Sequence, residues 1–163
     1  MKKILIYGSL LCMLGTACGY YSFSGSTLPA HMKTIAIPMF DDRTSEFGVD
    51  QTLNDKLIEA FVKDNSLKIA DPRNADSILE GTIRNVRYQA GAYNSNEQVE
   101  DIKVYITVDV KFTDVKQNTV VWEEQLTQWG TYNPNDADGQ RAGLDDAIDN
   151  IVQDIVNKTI AGW

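Results

Sequence analysis

Residues 102–112 read IKVYITVDVKF, with an apolar side chain at every even position and a polar residue or tyrosine at every odd one. This strict period of two predicts a strand with one buried face and one wet face. The polar residues 114–118 predict a turn, from which residues 119–129 return as a second strand. We therefore expect an antiparallel hairpin here.

Shorter patterns precede the hairpin. Residues 77–88, SILEGTIRNVRY, alternate like a long strand, but the alternation slips near Asn85, which predicts a β-bulge. Residues 33–40, KTIAIPMF, form a β-branched run interrupted by Pro38, which predicts a short strand. Residues 67–69 predict another. We expect Asp41 and Asp42 to begin a polar turn.

Two segments show helical spacing instead. Apolar residues recur every three or four positions in residues 49–63 and, more strongly, in residues 144–160, while a polar stretch at residues 130–139 leads into the second segment. The order of these elements predicts an α+β fold, with two helices packed on one face of a mostly antiparallel four- to five-stranded sheet. We assign residues 33–163 to this single domain.

The N-terminus has the pattern of an export signal. Lys2 and Lys3 precede an apolar run at residues 4–14, and small residues follow at 15–17. The run is too short for a membrane helix, which needs roughly 20 residues. We predict a signal peptide at residues 1–17.

Cys18 directly follows these small residues. Cys12 would leave with the signal, so Cys18 would have no disulfide partner, and its position matches a lipobox in which the thiol receives a diacylglyceryl group. We predict lipidation at Cys18, with an ordinary cleaved secretory signal as the alternative. Gly19 after the cysteine favours the outer membrane, and residues 18–32 are predicted to be a lipidated, extended tether.

Charge and composition exclude several classes of function. Cleavage would remove Lys2 and Lys3 from 15 basic residues, leaving 13 against 23 acidic ones and a net charge of −10, which repels nucleic acid. His31 is the only histidine, and no glycine-rich phosphate loop or serine elbow occurs. We therefore predict no enzymatic activity, no metal site and no cofactor.

The uncovered sheet face is the candidate binding surface. Basic and aromatic side chains grouped on strands suit an anionic amphiphile or a partner protein. The alternative is a solvated sheet face with edge-protecting lysines. The candidate contact residues on this face are Arg84, Arg87, Tyr88, Lys103, Tyr105 and Lys111.

Several fragments occur in an order typical of a known family. They are Cys18-Gly19-Tyr20, Phe23-Ser24-Gly25, Leu28-Pro29, the run 33–40, ADSILEGTI at residues 75–83, Tyr105, Trp122 and Gly130-Thr131-Tyr132. Over nearly its whole mature length the chain resembles the LptE family of lipopolysaccharide-assembly lipoproteins.

This resemblance implies a function and a location. It implies a non-enzymatic lipoprotein, held by an N-terminal lipid anchor on the periplasmic side of the outer membrane. Such a protein plugs the LptD β-barrel and helps it to assemble, and the pair inserts lipopolysaccharide into the outer leaflet. An LptD-like barrel and lipopolysaccharide are the implied partners.

The chain departs from the family in one respect. Some members carry a basic residue in the loop before the alternating strand, but residues 91–100 contain no Lys or Arg. Arg141 roughly matches a second basic position near the last helix, so the resemblance makes it a further candidate contact, although four nearby aspartates weaken its attraction for phosphate.

A rival interpretation rests on the run 33–40 and the helix after it. Lipoproteins of curli-secretion channels and activators of penicillin-binding proteins begin similarly. We would expect these binding modules to continue with regular alternation of strands and helices, whereas a run of strands follows here.

Overall fold

The computed structural model describes residues 28–92 and 99–161. The predicted signal peptide and the predicted lipidation site Cys18 lie outside the described residues. The elements are, in order, β1 (Thr34–Ala36), β2 (Asp41–Asp42), α1 (Val49–Asp64), β3 (Lys68–Ile69), β4 (Ser77–Ala90), β5 (Ile102–Asp114), β6 (Thr119–Tyr132) and α2 (Gly139–Ala161).

The strands form one sheet in the order β3-β1-β4-β5-β6, with β2 pairing to β4. The three long strands β4, β5 and β6 are antiparallel, whereas β1 runs parallel to both β3 and β4. Helices α1 and α2 pack on the sheet, which confirms the α+β prediction. The sheet has six strands instead of four or five, because Asp41 and Asp42 pair with Thr82 and Ile83 where a turn was expected.

The core lies between the helices and one face of the sheet. In β5 the even positions from Val104 to Phe112 are buried, and the odd positions from Lys103 to Lys111 are half-buried, as their alternation predicts. Leu53, Leu57 and Phe61 of α1 and Ile148, Ile151 and Ile155 of α2 are buried in the same cluster. Burial of apolar surface on this one side therefore holds the helices to the sheet.

The predicted bulge in β4 is confirmed. The register with β5 shifts between Ile83 and Asn85, so Arg84 is an extra residue. Because side chains alternate along a strand, one extra residue exchanges the faces of all later positions. Val86 consequently returns to the core side, opposite Ile106.

The boundary between β6 and the polar stretch was predicted wrongly. Residues 130–132 continue β6, with Gly130 opposite Val104. A Cβ added at Gly130 would lie 2.1 Å from the carbonyl oxygen of Gly143 and 2.9 Å from the amide nitrogen of Ala147. Glycine therefore belongs to the strand here because it permits close packing of β6 against the backbone of α2.

The residues just before β1 contact the domain. Met32 is buried, and its amide donates to the carbonyl of Pro29 at 2.9 Å. The His31 ring nitrogen Nε2 lies 2.5 Å from Oδ2 of Asp114 at the end of β5. The chain thus approaches β1 beside the turn between β5 and β6.

Candidate functional site

The side chains that point away from the helices form what we call the open face. Antiparallel partners lie on the same side of a sheet, so the register assigns the members strand by strand. They are Ile78, Glu80, Thr82, Arg84, Asn85, Arg87 and Gln89 of β4, Lys103, Tyr105, Thr107, Asp109, Lys111 and Thr113 of β5, and Val120, Glu123, Gln125, Thr127, Trp129 and Thr131 of β6.

One end of the open face, which we call the ion-paired end, has its cations matched by carboxylates. Arg84 forms a salt bridge with Asp109, which also accepts a hydrogen bond from Gln125 at 2.8 Å. Lys111 Nζ lies 2.6 Å from Glu80 Oε1. The hydrogen bonds from Gln125 and Arg84 lower the pKa of Asp109, and Glu80 raises the pKa of Lys111. Each of these two cations therefore lies against a carboxylate of the same face.

The other end, which we call the cation–aromatic end, is different. The guanidinium carbon of Arg87 lies 4.7 Å from the centre of the Tyr105 ring, and Lys103 Nζ lies 4.4 Å from the centre of the Trp129 ring. Tyr105 and Trp129 are cross-strand partners. A ring face attracts a cation without neutralising its charge. Among residues 28–92 and 99–161 neither cation is part of a salt bridge, so this end presents two cations on an aromatic platform, a combination suited to an anionic group attached to an apolar body.

Tyr88 lies on the opposite side of the sheet from the other strand candidates. The bulge at Arg84 turns it towards the helix side, where its hydroxyl donates to Glu46 at 2.9 Å. Burial raises the pKa of the Tyr88 hydroxyl, and the Glu46 carboxylate adds to this effect. Tyr88 therefore does not join Tyr105 in one surface.

Arg141 is exposed near the start of α2, so it belongs to the helix layer and not to the open face. The structure therefore brings Arg84, Arg87, Lys103, Tyr105 and Lys111 together and leaves Tyr88 and Arg141 elsewhere. Sequence reasoning missed Trp129, which is 45% exposed beside Lys103. Its pairing with Tyr105 is a property of the hairpin register, which the turn at residues 114–118 could have indicated.

A second polar cluster fixes the start of the domain. Asp76 Oδ2 accepts hydrogen bonds from the amides of Lys33 and Thr34, and Lys116 Nζ lies 2.6 Å from Asp76 Oδ1. These contacts, that of Lys116 foremost, hold the pKa of Asp76 far below its ordinary value. Its hydrogen bonds stay within this junction, which indicates a structural role. In the described part of the chain no group of three or more His, Cys, Asp or Glu residues could hold a metal ion.

Fold and face together define a class: a small α+β domain whose helices cover one side of a sheet and whose other side presents charged and aromatic groups. The family model for LptE, described as lipopolysaccharide-assembly, matches residues 32–159. This match spans most of the chain and the whole sheet, so the protein belongs to the LptE family. The resemblance noted in the sequence is confirmed.

Solved structures share the fold at low sequence identity. A PelC dodecamer from Paraburkholderia phytofirmans is 16% identical, with a TM-score of 0.58 over 85% of this chain and 94% of that chain. A Xanthomonas campestris protein is 13% identical, with a TM-score of 0.56 over 79% and 86%. A minor lipoprotein from Acinetobacter baumannii is 14% identical, with a TM-score of 0.50 over 80% and 92%.

Among curated protein sequences none matches the chain significantly. Within residues 28–92 and 99–161, neither helix has the length and apolar character needed to cross a membrane.

Proposed function

We propose that this protein is a non-enzymatic lipoprotein that is anchored through Cys18 on the periplasmic side of the outer membrane. There it plugs an LptD-like β-barrel, helps that barrel to assemble and takes part in lipopolysaccharide insertion into the outer leaflet. The observation that carries this proposal is the LptE family match over residues 32–159. Because the family is one of lipopolysaccharide-assembly proteins, we consider lipopolysaccharide first as the ligand of the open face.

The open face supplies the chemistry for contact with lipopolysaccharide. The phosphates of lipopolysaccharide require cations that can form charge-assisted hydrogen bonds, and its sugars and acyl chains pack well against aromatic rings. Arg87 and Lys103, held over Tyr105 and Trp129, meet both requirements. Arg84 and Lys111 meet the first one less well, since each is already paired with a carboxylate. We therefore assign lipid contact to the cation–aromatic end.

The test is depletion of the protein combined with copurification of its partner. We expect a tagged chain to copurify with an LptD-like barrel, and we expect depletion to leave that barrel misassembled and lipopolysaccharide in the periplasm. A tagged chain that recovers only cell-wall synthases, in cells with normal surface lipopolysaccharide, would refute the proposal.

Cys18→Ala separates anchoring from binding. If the barrel holds the domain by its faces, the exported variant should mislocalise in part and still bind the barrel, because the anchor contributes local concentration and not contact. Complete loss of barrel binding by the exported soluble variant would show that the lipid itself makes the contact.

A second candidate function is assembly into another envelope complex, as a binding module of the curli-secretion or penicillin-binding-protein-activator type. The observation in its favour is the fold shared with the PelC dodecamer. It predicts a stable ring of identical copies, whereas a barrel plug is expected to pair with its barrel. Mass measurement of the detergent-purified complex distinguishes the two.

A further inference from the structure

Strand β6 forms one edge of the sheet and is 14 residues long. The strand at the opposite edge, β3, has two residues, one of which is Lys68. Natural proteins protect edge strands with short length, lysine, proline or a covering element, since unpaired backbone groups would otherwise attract another strand. The β6 sequence TVVWEEQLTQWGTY contains no Lys, Arg or Pro. Glu123, Glu124 and the register shift at Val121 lie in its first half, so the edge from Gln125 to Tyr132 lacks the usual sequence protection.

The hydrogen-bond pattern identifies the backbone groups at this edge. The amide of Gly91 donates to Asp101 and the amide of Val115 donates to Asp76, so odd residues of β5 bond to β4. Even residues of β5 therefore bond to even residues of β6, and the odd residues of β6 direct their N–H and C=O groups outward. The outward residues are Glu123, Gln125, Thr127, Trp129 and Thr131.

One contact supports this assignment independently. Asn150 of α2 donates from Nδ2 to the carbonyl oxygen of Trp129 at 3.0 Å, as expected for an outward carbonyl. Among the described residues, the backbone–backbone hydrogen bonds of β6 are those it makes with β5. The other outward groups are therefore available to an added strand.

The surroundings of the edge indicate which strand would fit. On its helix side lie Glu124, Asp154, which accepts a hydrogen bond from Gln128, and Asp146, whose Cβ is close to Gly130. Lys158 bonds to Glu124 and leaves an excess of negative charge. Basic side chains at alternate positions of an added strand would all face these acids. Residues 18–27 of this chain contain no Lys or Arg, so its own tether does not match.

We propose that β6 is a strand-addition site, where an extended segment of a partner protein pairs with the outward backbone groups and directs Lys or Arg residues towards Glu124, Asp146 and Asp154. Main-chain hydrogen bonds provide the affinity in this mode of recognition, and alternate side chains provide the specificity. The site uses the edge of the sheet, so it is separate from the cation–aromatic end.

The experiment uses the full chain in detergent and three synthetic peptides. The first has the sequence Lys-Val-Lys-Thr-Lys-Val-Lys, the second has glutamate in place of every lysine, and the third is the lysine peptide N-methylated along the edge that would face β6. Hydrogen exchange followed by NMR reports on each amide of β6. The lysine peptide should slow exchange at Gln125, Thr127 and Thr131 and leave the even residues unchanged. The other two peptides should bind at least about tenfold more weakly, as loss of hydrogen bonds or reversal of charge requires.

A matched pair of variants tests the backbone directly. Thr127→Pro removes one outward N–H, and Thr127→Val keeps it, while both remove the hydroxyl that contacts Thr107 at 3.0 Å. We expect Thr127→Pro to weaken binding about tenfold and Thr127→Val to leave it nearly unchanged.

Several outcomes would overturn the proposal. The first is equal binding of the lysine peptide and its N-methylated form, a comparison that does not depend on the folding of any variant. The second is unchanged hydrogen exchange at the outward amides of β6 when the lysine peptide is added. Protection of the outward amides without peptide would also overturn it. In that case dependence on protein concentration would identify a second copy as the occupant, and independence would identify the tether.

Discussion

The two ends of the open face contain the same kinds of cation in different surroundings. At the ion-paired end Arg84 meets Asp109 and Lys111 meets Glu80. At the cation–aromatic end Arg87 lies over Tyr105 and Lys103 lies over Trp129. Each end has one Arg and one Lys on the same two strands. Within the part of the chain that the structure describes, the neighbours across the sheet therefore determine whether a cation is neutralised locally or remains free to bind an anion.

This difference predicts that the ion-paired end contributes to stability, whereas the cation–aromatic end contributes to anion binding. A carboxylate partner neutralises a cation within the protein, and such an exposed pair contributes only about 0 to 1 kcal/mol to the free energy of unfolding. A ring face orients the cation and leaves its charge to an incoming phosphate. We therefore expect changes at the two ends to have different consequences.

The largest effect is expected where the backbone supports the cation–aromatic end. Gly130→Ala places a methyl group against the backbone of Gly143 and Ala147, which cannot move without shifting α2. We expect the free energy of unfolding to fall by about 3 kcal/mol, at the upper end of typical overpacking costs. Urea denaturation measures this change, with Thr127→Ala on the open side of β6 as control. A loss no greater than that of the control would mean that the close approach of β6 and α2 is not required.

The next effect concerns lipopolysaccharide binding by two charge-matched double variants. Arg87→Gln with Lys103→Gln removes both cations of the cation–aromatic end and should weaken binding at least about tenfold, equivalent to one charge-assisted contact. Arg84→Gln with Lys111→Gln makes the same change in net charge at the ion-paired end. Because those cations already have partners, we expect a loss within about threefold, from long-range attraction alone. Equal losses would show that binding depends on net charge and not on the aromatic platform.

Lowering the pH should destabilise the ion-paired end and leave the cation–aromatic end unchanged until the domain unfolds. At the ion-paired end the pKa of Asp109 is lowered, and in the adjoining junction that of Asp76 is lowered further. Groups with a depressed folded pKa contribute stability above the ordinary carboxyl pKa, and this contribution is lost as pH falls through the folded value. Stability should therefore decline below about pH 4, the ordinary carboxyl range. Asp109→Asn should reduce the slope, and the ring signals of Trp129 should change only when the whole domain unfolds.

The long elements of this fold could be predicted from the sequence because their apolar spacing is set by burial. The alternation in β5 and the spacing in α1 and α2 follow directly from which side chains face the core. The pairing of β1 between β3 and β4 could not be predicted, since it joins short segments that are distant in the chain. Composition does not encode such non-local contacts.

The residues that make up the open face depend on a one-residue shift in the pairing of β4 with β5. The slip at Asn85 predicted the bulge, and the bulge has a consequence for every later position of β4. It places Arg84 and Arg87 on the same face despite their odd separation, and it turns Tyr88 away. Trp129 was missed for a related reason, because its ring becomes a partner of Lys103 only in the observed pairing of β5 with β6.

The smallest effect is the most direct test of how each end holds its cation. Double-mutant cycles on Lys103 with Trp129 and on Arg84 with Asp109 isolate one interaction at each end. We expect a coupling of about 0.5 kcal/mol for the exposed cation–π pair and a similar value for the exposed ion pair at low salt. In roughly 1 M salt, where the Debye length is about 3 Å, the ion-pair coupling should fall well below the cation–π coupling, because counterions compete for the carboxylate and not for the ring face. If both couplings fell together, Lys103 would be held by the general field of an acidic protein, and the aromatic platform would have no separate role in keeping that charge free.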